Sequence, residues 1–290
     1  MGKSFLLAAL LVATLSFSQV SELRPFAFYD SSGTDLSYNS ALNMALSADV
    51  ALFGELHNSS VIHWIQLRLT KDLYQKNNQI ALGGEFFERD NQLVINEYLS
   101  GLYDERKLES ETKAWPNFET DYLPILEFAK QNGIPFYATN VPRRYASVVA
   151  KKGVDTLRSF DNSTKELFAK TPFDFNLDIP GYSDMMEMMG GHADPSSSEN
   201  FVKAQAIKDA TMAETILNNL PNKGGVFLHF NGDFHSANYG GIYWYLKNEN
   251  SKLNIMTIKV FSSDELEFKN EWKGTGDIIL IVADDFTKTH

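Results

Sequence analysis

The sequence predicts an α/β fold: a mostly parallel central sheet with helices on both faces and a helical, methionine-rich excursion. Three observations lead there. Short apolar runs alternate with stretches of helical hydrophobic spacing through the first half of the chain, which is the pattern of successive βαβ units. Parallel strands joined by such crossovers carry their helices on both faces of the sheet. Finally, three apolar runs end alike, in glycine followed by an acid or a histidine. Residues 51–53 run into Gly54-Glu55-Leu56-His57, residues 79–82 into Gly83-Gly84-Glu85-Phe86-Phe87, and residues 225–230 into Asn231-Gly232-Asp233-Phe234-His235.

In chain order, residues 26–29 read as an edge strand and 40–46 as a short helix. Residues 49–53 are the first strand of the parallel set. Asn58-Ser59-Ser60 then offers a helix N-cap, and Ile62, Ile65, Leu69 and Leu73 recur at helical spacing over 61–76. Asn77-Asn78 stops that helix before the strand 79–82. A helix over 91–99 is closed by Gly101, and the charged stretch 103–121, with Trp115-Pro116, reads as an excursion from the core. Residues 122–131 are helical up to Asn132-Gly133, a good C-terminal stop. A strand over 134–138 tolerates Pro135 near its start, and Pro142 suits the first turn of a helix that reaches Lys152. Residues 155–198 are irregular, with Pro172, Pro180, Pro195 and four of the eight methionines. A long helix over 199–220, a strand over 225–230, a helix over 242–247 and strands over 255–260 and 277–283 complete the chain.

Composition narrows the function. With 290 residues, 43% hydrophobic and 13% aromatic, the chain has ample material for a core. Its net charge of −11 and lack of basic runs argue against a nucleic-acid partner. Lys3, the apolar run 5–15 and Ser16-Phe17-Ser18 read as a signal peptide over 1–18, followed by a single domain over 19–290. No later stretch is apolar enough for a membrane helix, so the mature protein is expected to be soluble and exported, periplasmic or secreted. The sequence has no cysteine. That removes disulfides, thiolate metal sites, cysteine nucleophiles and covalent haem attachment together.

If the three strands are parallel, Glu55, His57, Glu85, Asp233 and His235 gather at one edge, where open α/β sheets bind ligands. Carboxylates with imidazoles suit Zn²⁺, Mn²⁺ or Fe²⁺. Neither HExxH nor G-x-S-x-G occurs. Without metal, Glu55 and His57 can still act as general base and orienting partner. The plainer reading makes Glu55 a cap for backbone N–H groups and His57 a core residue. Arg143-Arg144-Tyr145 opens the helix after the third strand. Arginines there suit the carboxylates of a ligand, one facing the cleft and the other pairing at the surface. In the run 181–192, Tyr182 and His192 flank Met185, Met186, Met188 and Met189. Either a short amphipathic helix packs these methionines on the core, or they form an adaptable apolar wall beside two residues that can ligate haem iron.

Gly54-Glu55-Leu56-His57, Gly84-Glu85-Phe86-Phe87, Gln205 with Asp209 and Met212-Ala213, and Asn231-Gly232-Asp233-Phe234-His235 occur in that order. Together they resemble the ChaN-type haem-binding uptake proteins, of the superfamily that includes the Tiki, TraB and erythromycin-esterase-like proteins. The resemblance covers about residues 49–283. It implies an α/β fold with a ligand cleft at the strand ends, haem binding linked to iron uptake, and a homodimer. Haem would then take Tyr182 or His192 as axial ligand, Met185 and Met189 as wall, and Arg143 or Arg144 for its propionates. The Tiki-like and esterase-like relatives imply an alternative, a metal-dependent hydrolase or protease in which Glu55 and His57 are reactive. ChaN-type proteins are often lipoproteins, whereas this chain has no cysteine to lipidate.

Overall fold

The computed structural model describes residues 23–189 and 195–290. The expected signal peptide and His192 lie outside the described residues, and of α8's last residue, Met189, only the backbone is described. Among the described residues an eight-stranded sheet has the order β2-β1-β8-β7-β3-β6-β4-β5. The strands are β1 Phe26–Asp30, β2 Asp35–Leu36, β3 Val50–Glu55, β4 Ile80–Glu88, β5 Phe136–Asn140, β6 Val226–Gly232, β7 Ile255–Ser263 and β8 Ile278–Ala283. From β8 to β5 every neighbouring pair is parallel. Only β1 and β2 run against their neighbours. The expected mostly parallel sheet is therefore present.

The helices are α1 Tyr38–Leu46, α2 Ser60–Lys76, α3 Gln92–Leu99, α4 Glu105–Thr112, α5 Leu123–Asn132, α6 Arg143–Lys152, α7 Asn162–Lys165, α8 Tyr182–Met189, α9 Pro195–Asn218 and α10 Gly241–Glu249. They cover both faces, and the alternation of side chains along each central strand divides the core between them. On β3, Ala51 and Phe53 join the layer under α2 and α5, while Val50 and Leu52 join the layer under α6, α9 and α10. All six residues of β3 are buried. An apolar run without polar alternation is what a strand covered on both faces requires.

Two local features depart from the expectations, each for a physical reason. Gly83 and Gly84 lie inside β4 rather than ending it. A Cβ on Gly83 would stand 2.8 Å from the Phe227 ring, and one on Gly84 2.4 Å from the Phe86 ring. These glycines allow rings to lie against the strand; they do not turn it. Beyond them the pairing of β4 with β5 shifts register between Gly84 and Glu88, and such an irregularity re-aims side chains such as Glu85. In the excursion, α4 is capped by the Asp104 side chain, but only Leu108 and Thr112 on it are buried, too few for a periodic signal. A π-helical turn, Phe118–Tyr122, follows it. Of the two readings of 181–192, the short helix is present: α8 packs Met185 and Met186 beside Ile179, Tyr182, Val202 and Ala206, while Met188 stands 84% exposed.

The outer strand β5 is closed by a side chain. The Gln92 amide donates to Phe136 O at 2.9 Å and accepts from Ala138 N at 2.7 Å, mimicking a further strand where an open edge invites pairing with another chain. Gln92→Leu should therefore lower the stability by about 1–3 kcal/mol, read from urea unfolding. An unchanged midpoint would show that these two bonds are replaced at no cost.

Candidate functional site

Parallel β3, β6 and β4 deliver Glu55, Gly232 and Glu85 to one edge of the sheet. Two acids are buried there, with side-chain exposures of 2% for Glu55 and 8% for Glu85. A buried carboxylate requires donors, and each acid has its own set.

Glu55 accepts from three side chains: Tyr122 OH at 2.7 Å, Gln66 Nε2 at 2.6 Å and His57 Nδ1 at 2.9 Å. Burial opposes the Glu55 charge, but the His57 hydrogen bond, the nearby His63 and the Gln66 amide outweigh it and hold the carboxyl below its usual range. Gln66 is in turn bonded to His63 Nδ1 at 2.9 Å. His63 Nε2 lies 3.1 Å from the His57 carbonyl, which also accepts from Asn117 Nδ2 at 2.7 Å. The backbone and the Nδ1 of His57 are thus both fixed, while its side chain stays 43% exposed. Its ring meets Trp115 edge-on with centroids 4.8 Å apart. Burial works against a charged His57, yet the bond to Glu55 and the charges of Glu55 and Glu85 prevail and raise its pKa.

Glu85 accepts from Gly232 N at 2.7 Å through Oε2, and its Oε1 lies 3.1 Å from His235 Nε2. The other ring nitrogen of His235, Nδ1, is 2.5 Å from Asp209 Oδ1. Asp209 Oδ2 accepts from Tyr182 OH at 2.6 Å. With a carboxylate on each nitrogen, His235 donates from both and is an imidazolium. Burial alone would lower its pKa, but Glu85 and Asp209 raise it from 6.5 to about 10. Gly241 opens α10 at φ +47°, and a Cβ there would lie 2.3 Å from the His235 carbonyl oxygen and 3.0 Å from Asp209 Oδ2, so only glycine lets α10 start against the His235 backbone. The two units meet at Gly232, where a Cβ would stand 2.9 Å from His57 Nε2 and 3.3 Å from Glu85 Oε2.

The structure brings together Glu55, His57, Glu85 and His235, but not Asp233. That acid pairs with Lys259 and accepts from Val260 N at 2.9 Å, on the β7 side of the sheet edge. The expected five-residue set for a divalent metal is accordingly not formed. Among the described residues no group of three or more His, Asp or Glu side chains is arranged to hold a metal ion. The acid oxygens already serve imidazole, phenol, amide and backbone donors.

Beside Glu85 opens a cleft of about 450 Å³, lined among others by Phe86, Trp115, Asn140, Arg143, Arg144 and Lys208. Arg144 pairs with Asp90 at 2.6 Å and lies over the Tyr145 ring at 4.5 Å. Arg143 is exposed and has no carboxylate partner among the described residues. Lys208 donates only to the neutral Gln205 amide at 3.1 Å. Tyr182 is 0% exposed, and burial together with the Asp209 charge raises its pKa well above that of an ordinary phenol. Sequence reading missed His63, Gln66, Asn117, Asp121 and Tyr122. The available signal was on α2, where polar His63 and Gln66 interrupt the apolar face of Ile62, Ile65 and Leu69.

The His235 clamp sets a pH dependence. Its folded pKa lies above its ordinary value, so its stabilisation is complete below pH 6.5 and is lost as the pH rises through about 10. His57 acts in the same direction. Unfolding free energy should therefore fall over that window by roughly a few kcal/mol. Asp209→Asn should lower the His235 pKa and flatten the decline. Side-chain NMR titration and urea unfolding against pH check this, and an unshifted His235 in the variant would refute the clamp.

A family model described as haem-binding uptake, Tiki superfamily, ChaN matches residues 41–246. The fold is similar to that in the structure of cofacial haem binding to ChaN of Campylobacter jejuni, with a TM-score of 0.68 at 15% identity over 89% of this chain and 96% of that one. An erythromycin esterase mutant in its open conformation aligns with a TM-score of 0.46 at 10% identity, over 82% and 77%. Protein RETICULATA-RELATED 5, chloroplastic, of Arabidopsis thaliana is 25% identical over 166 residues, which are 54% of this chain and 22% of that protein's length. With the family model matching well over half of its residues, this chain belongs to the ChaN family of haem-binding uptake proteins in the Tiki superfamily.

Proposed function

We propose that the chain is an exported protein of haem and iron uptake that holds haem non-covalently against the C-terminal edge of its sheet. The observation that carries this reading is the cleft beside Glu85, which Arg143 and Lys208, cations without carboxylate partners among the described residues, line together with Phe86, Trp115 and the acids Glu88 and Glu111. Haem is a flat apolar macrocycle with two carboxylates. Cations for the propionates and aromatic faces for the ring are the groups it needs. With no cysteine in the sequence, the attachment has no thioether to form.

The iron ligand we assign first is His57. Its Nδ1 is held by Glu55, its Nε2 has no hydrogen-bond partner among the described residues, and its side chain is 43% exposed. A ligating imidazole characteristically has its other nitrogen bonded to a carboxylate or carbonyl in this way. Tyr182, expected as a ligand from the sequence, has its hydroxyl on Asp209 and no exposure, and serves instead to support the His235 clamp. His192 is the second imidazole in play. Met185 is half-buried on α8 against Tyr182 and Val202 and does not line the cleft, whereas Arg144, tied to Asp90, does. The metal-dependent hydrolase alternative has less support, since the described residues form no metal set. Export rests on Lys3, the apolar run 5–15 and Ser16-Phe17-Ser18. Among the described residues no helix is long and apolar enough to cross a membrane.

Absorbance titration with hemin tests the proposal. The wild-type protein should give a Soret band that survives gel filtration and is lost on acid extraction. His57→Ala should shift that band, and Tyr182→Phe should leave it in place. Arg143→Glu should weaken binding by about tenfold or more. No binding by the wild type would end the haem reading. A spectrum unaltered by His57→Ala would pass the ligand role to His192.

A further inference from the structure

The segment after β8 returns to the candidate site. Strands β8, β7 and β3 are consecutive and parallel, so β8 ends at the same edge as Glu55. From there the chain crosses to the turn between β3 and α2. Lys288 forms an antiparallel bridge with Ser59, and Thr289 N donates to Asn58 O at 3.1 Å. The Thr289 hydroxyl then reaches inward and donates to Asp121 Oδ2 at 2.6 Å. Asp121 is 4% exposed, whereas residues 284–288 around this segment are exposed.

The same Asp121 oxygen accepts from Asn117 Nδ2 at 2.6 Å, and Asn117 Nδ2 also donates to the His57 carbonyl at 2.7 Å. Asn117 is 2% exposed, and its Oδ1 has no hydrogen-bond partner. Nothing on the acceptor side therefore fixes this amide; its orientation depends on Asp121 and on the His57 carbonyl. Trp115, two residues earlier, touches the His57 ring. One hydroxyl thus ties together the end of the chain described here, the π-helical turn and the backbone of the open histidine.

We propose that residues 287–289 are a positioning strap of the site, in which Thr289, through Asp121 and Asn117, sets the backbone of His57 and the seat of Trp115 beside it. The strap lies beyond residues 41–246, which the family model matches. It deepens the proposed haem function and rests on that reading only where haem is used as the probe. Removing one donor from a buried carboxylate that holds the rest of the chain loosens everything downstream of it, and local opening is measured by amide exchange.

The full-length protein is compared with Thr289→Val, Thr289→Ser and a chain ended after Phe286. Amide exchange over residues 57–60 and 117–121 should quicken by about tenfold or more in Thr289→Val and in the shortened chain, while β1 and β8 keep their protection. Thr289→Ser, which retains the hydroxyl, should behave as wild type. Hemin should leave the first two variants faster, with a changed Soret band. Unchanged exchange over 57–60 in both variants would overturn the strap. An equal loss of protection in β1 and β8 would overturn it too, since the segment would then serve the whole fold. If the wild type takes up no hemin, the haem reading fails and the exchange result still decides the strap.

Discussion

Two ionised carboxylates buried at the ends of parallel strands set the conditions for the rest of this structure. An isolated buried charge costs several kcal/mol, so Glu55 and Glu85 are tolerable only with donors in place. Supplying those donors shapes the surroundings. Helix α2 gives up two apolar positions to His63 and Gln66, the π-helical turn delivers Tyr122, and α9 brings Asp209 under the His235 ring. Gly232 and Gly241 stay without side chains because the His57 imidazole and the His235 carbonyl occupy the space a Cβ would need.

The two acid–imidazole units are alike in chemistry and opposite in availability. His235 uses both ring nitrogens on Glu85 and Asp209 and is closed. His57 uses one on Glu55, and its other ring nitrogen faces Gly232. A closed imidazolium neutralises buried acid and stiffens the edge, and the open ring beside it is the group available to a ligand. Such a division leaves the edge ordered in advance, with its ordering cost met during folding.

The fold was legible in the sequence because a doubly covered parallel sheet writes itself as unbroken apolar runs, and β3, β6 and β8 are such runs. The strand-end residues Glu55, His57, Glu85 and His235 were legible from the glycines before them. What those glycines do was not: Gly83 and Gly84 accommodate rings within β4, a packing fact with no local signature. Asp233 looked equivalent to its neighbours and differs because Lys259, on β7 beyond β3, pairs with it. The donors to Glu55 come from residues 2, 11 and 67 positions away, and only the nearest shared a motif with it. Helix α4 was missed because it turns just Leu108 and Thr112 inward.

We propose that haem sits at this edge, on the open histidine and beside the cations of the cleft. A crystal structure of the hemin complex tests it most directly. It should show iron bonded to His57 Nε2, propionates on Arg143 and Lys208, and the Glu85–His235–Asp209 clamp unchanged. Haem seated elsewhere, such as in the groove lined by Phe26, Tyr38 and Trp64 between α1 and α2, with the strand ends untouched, would contradict it.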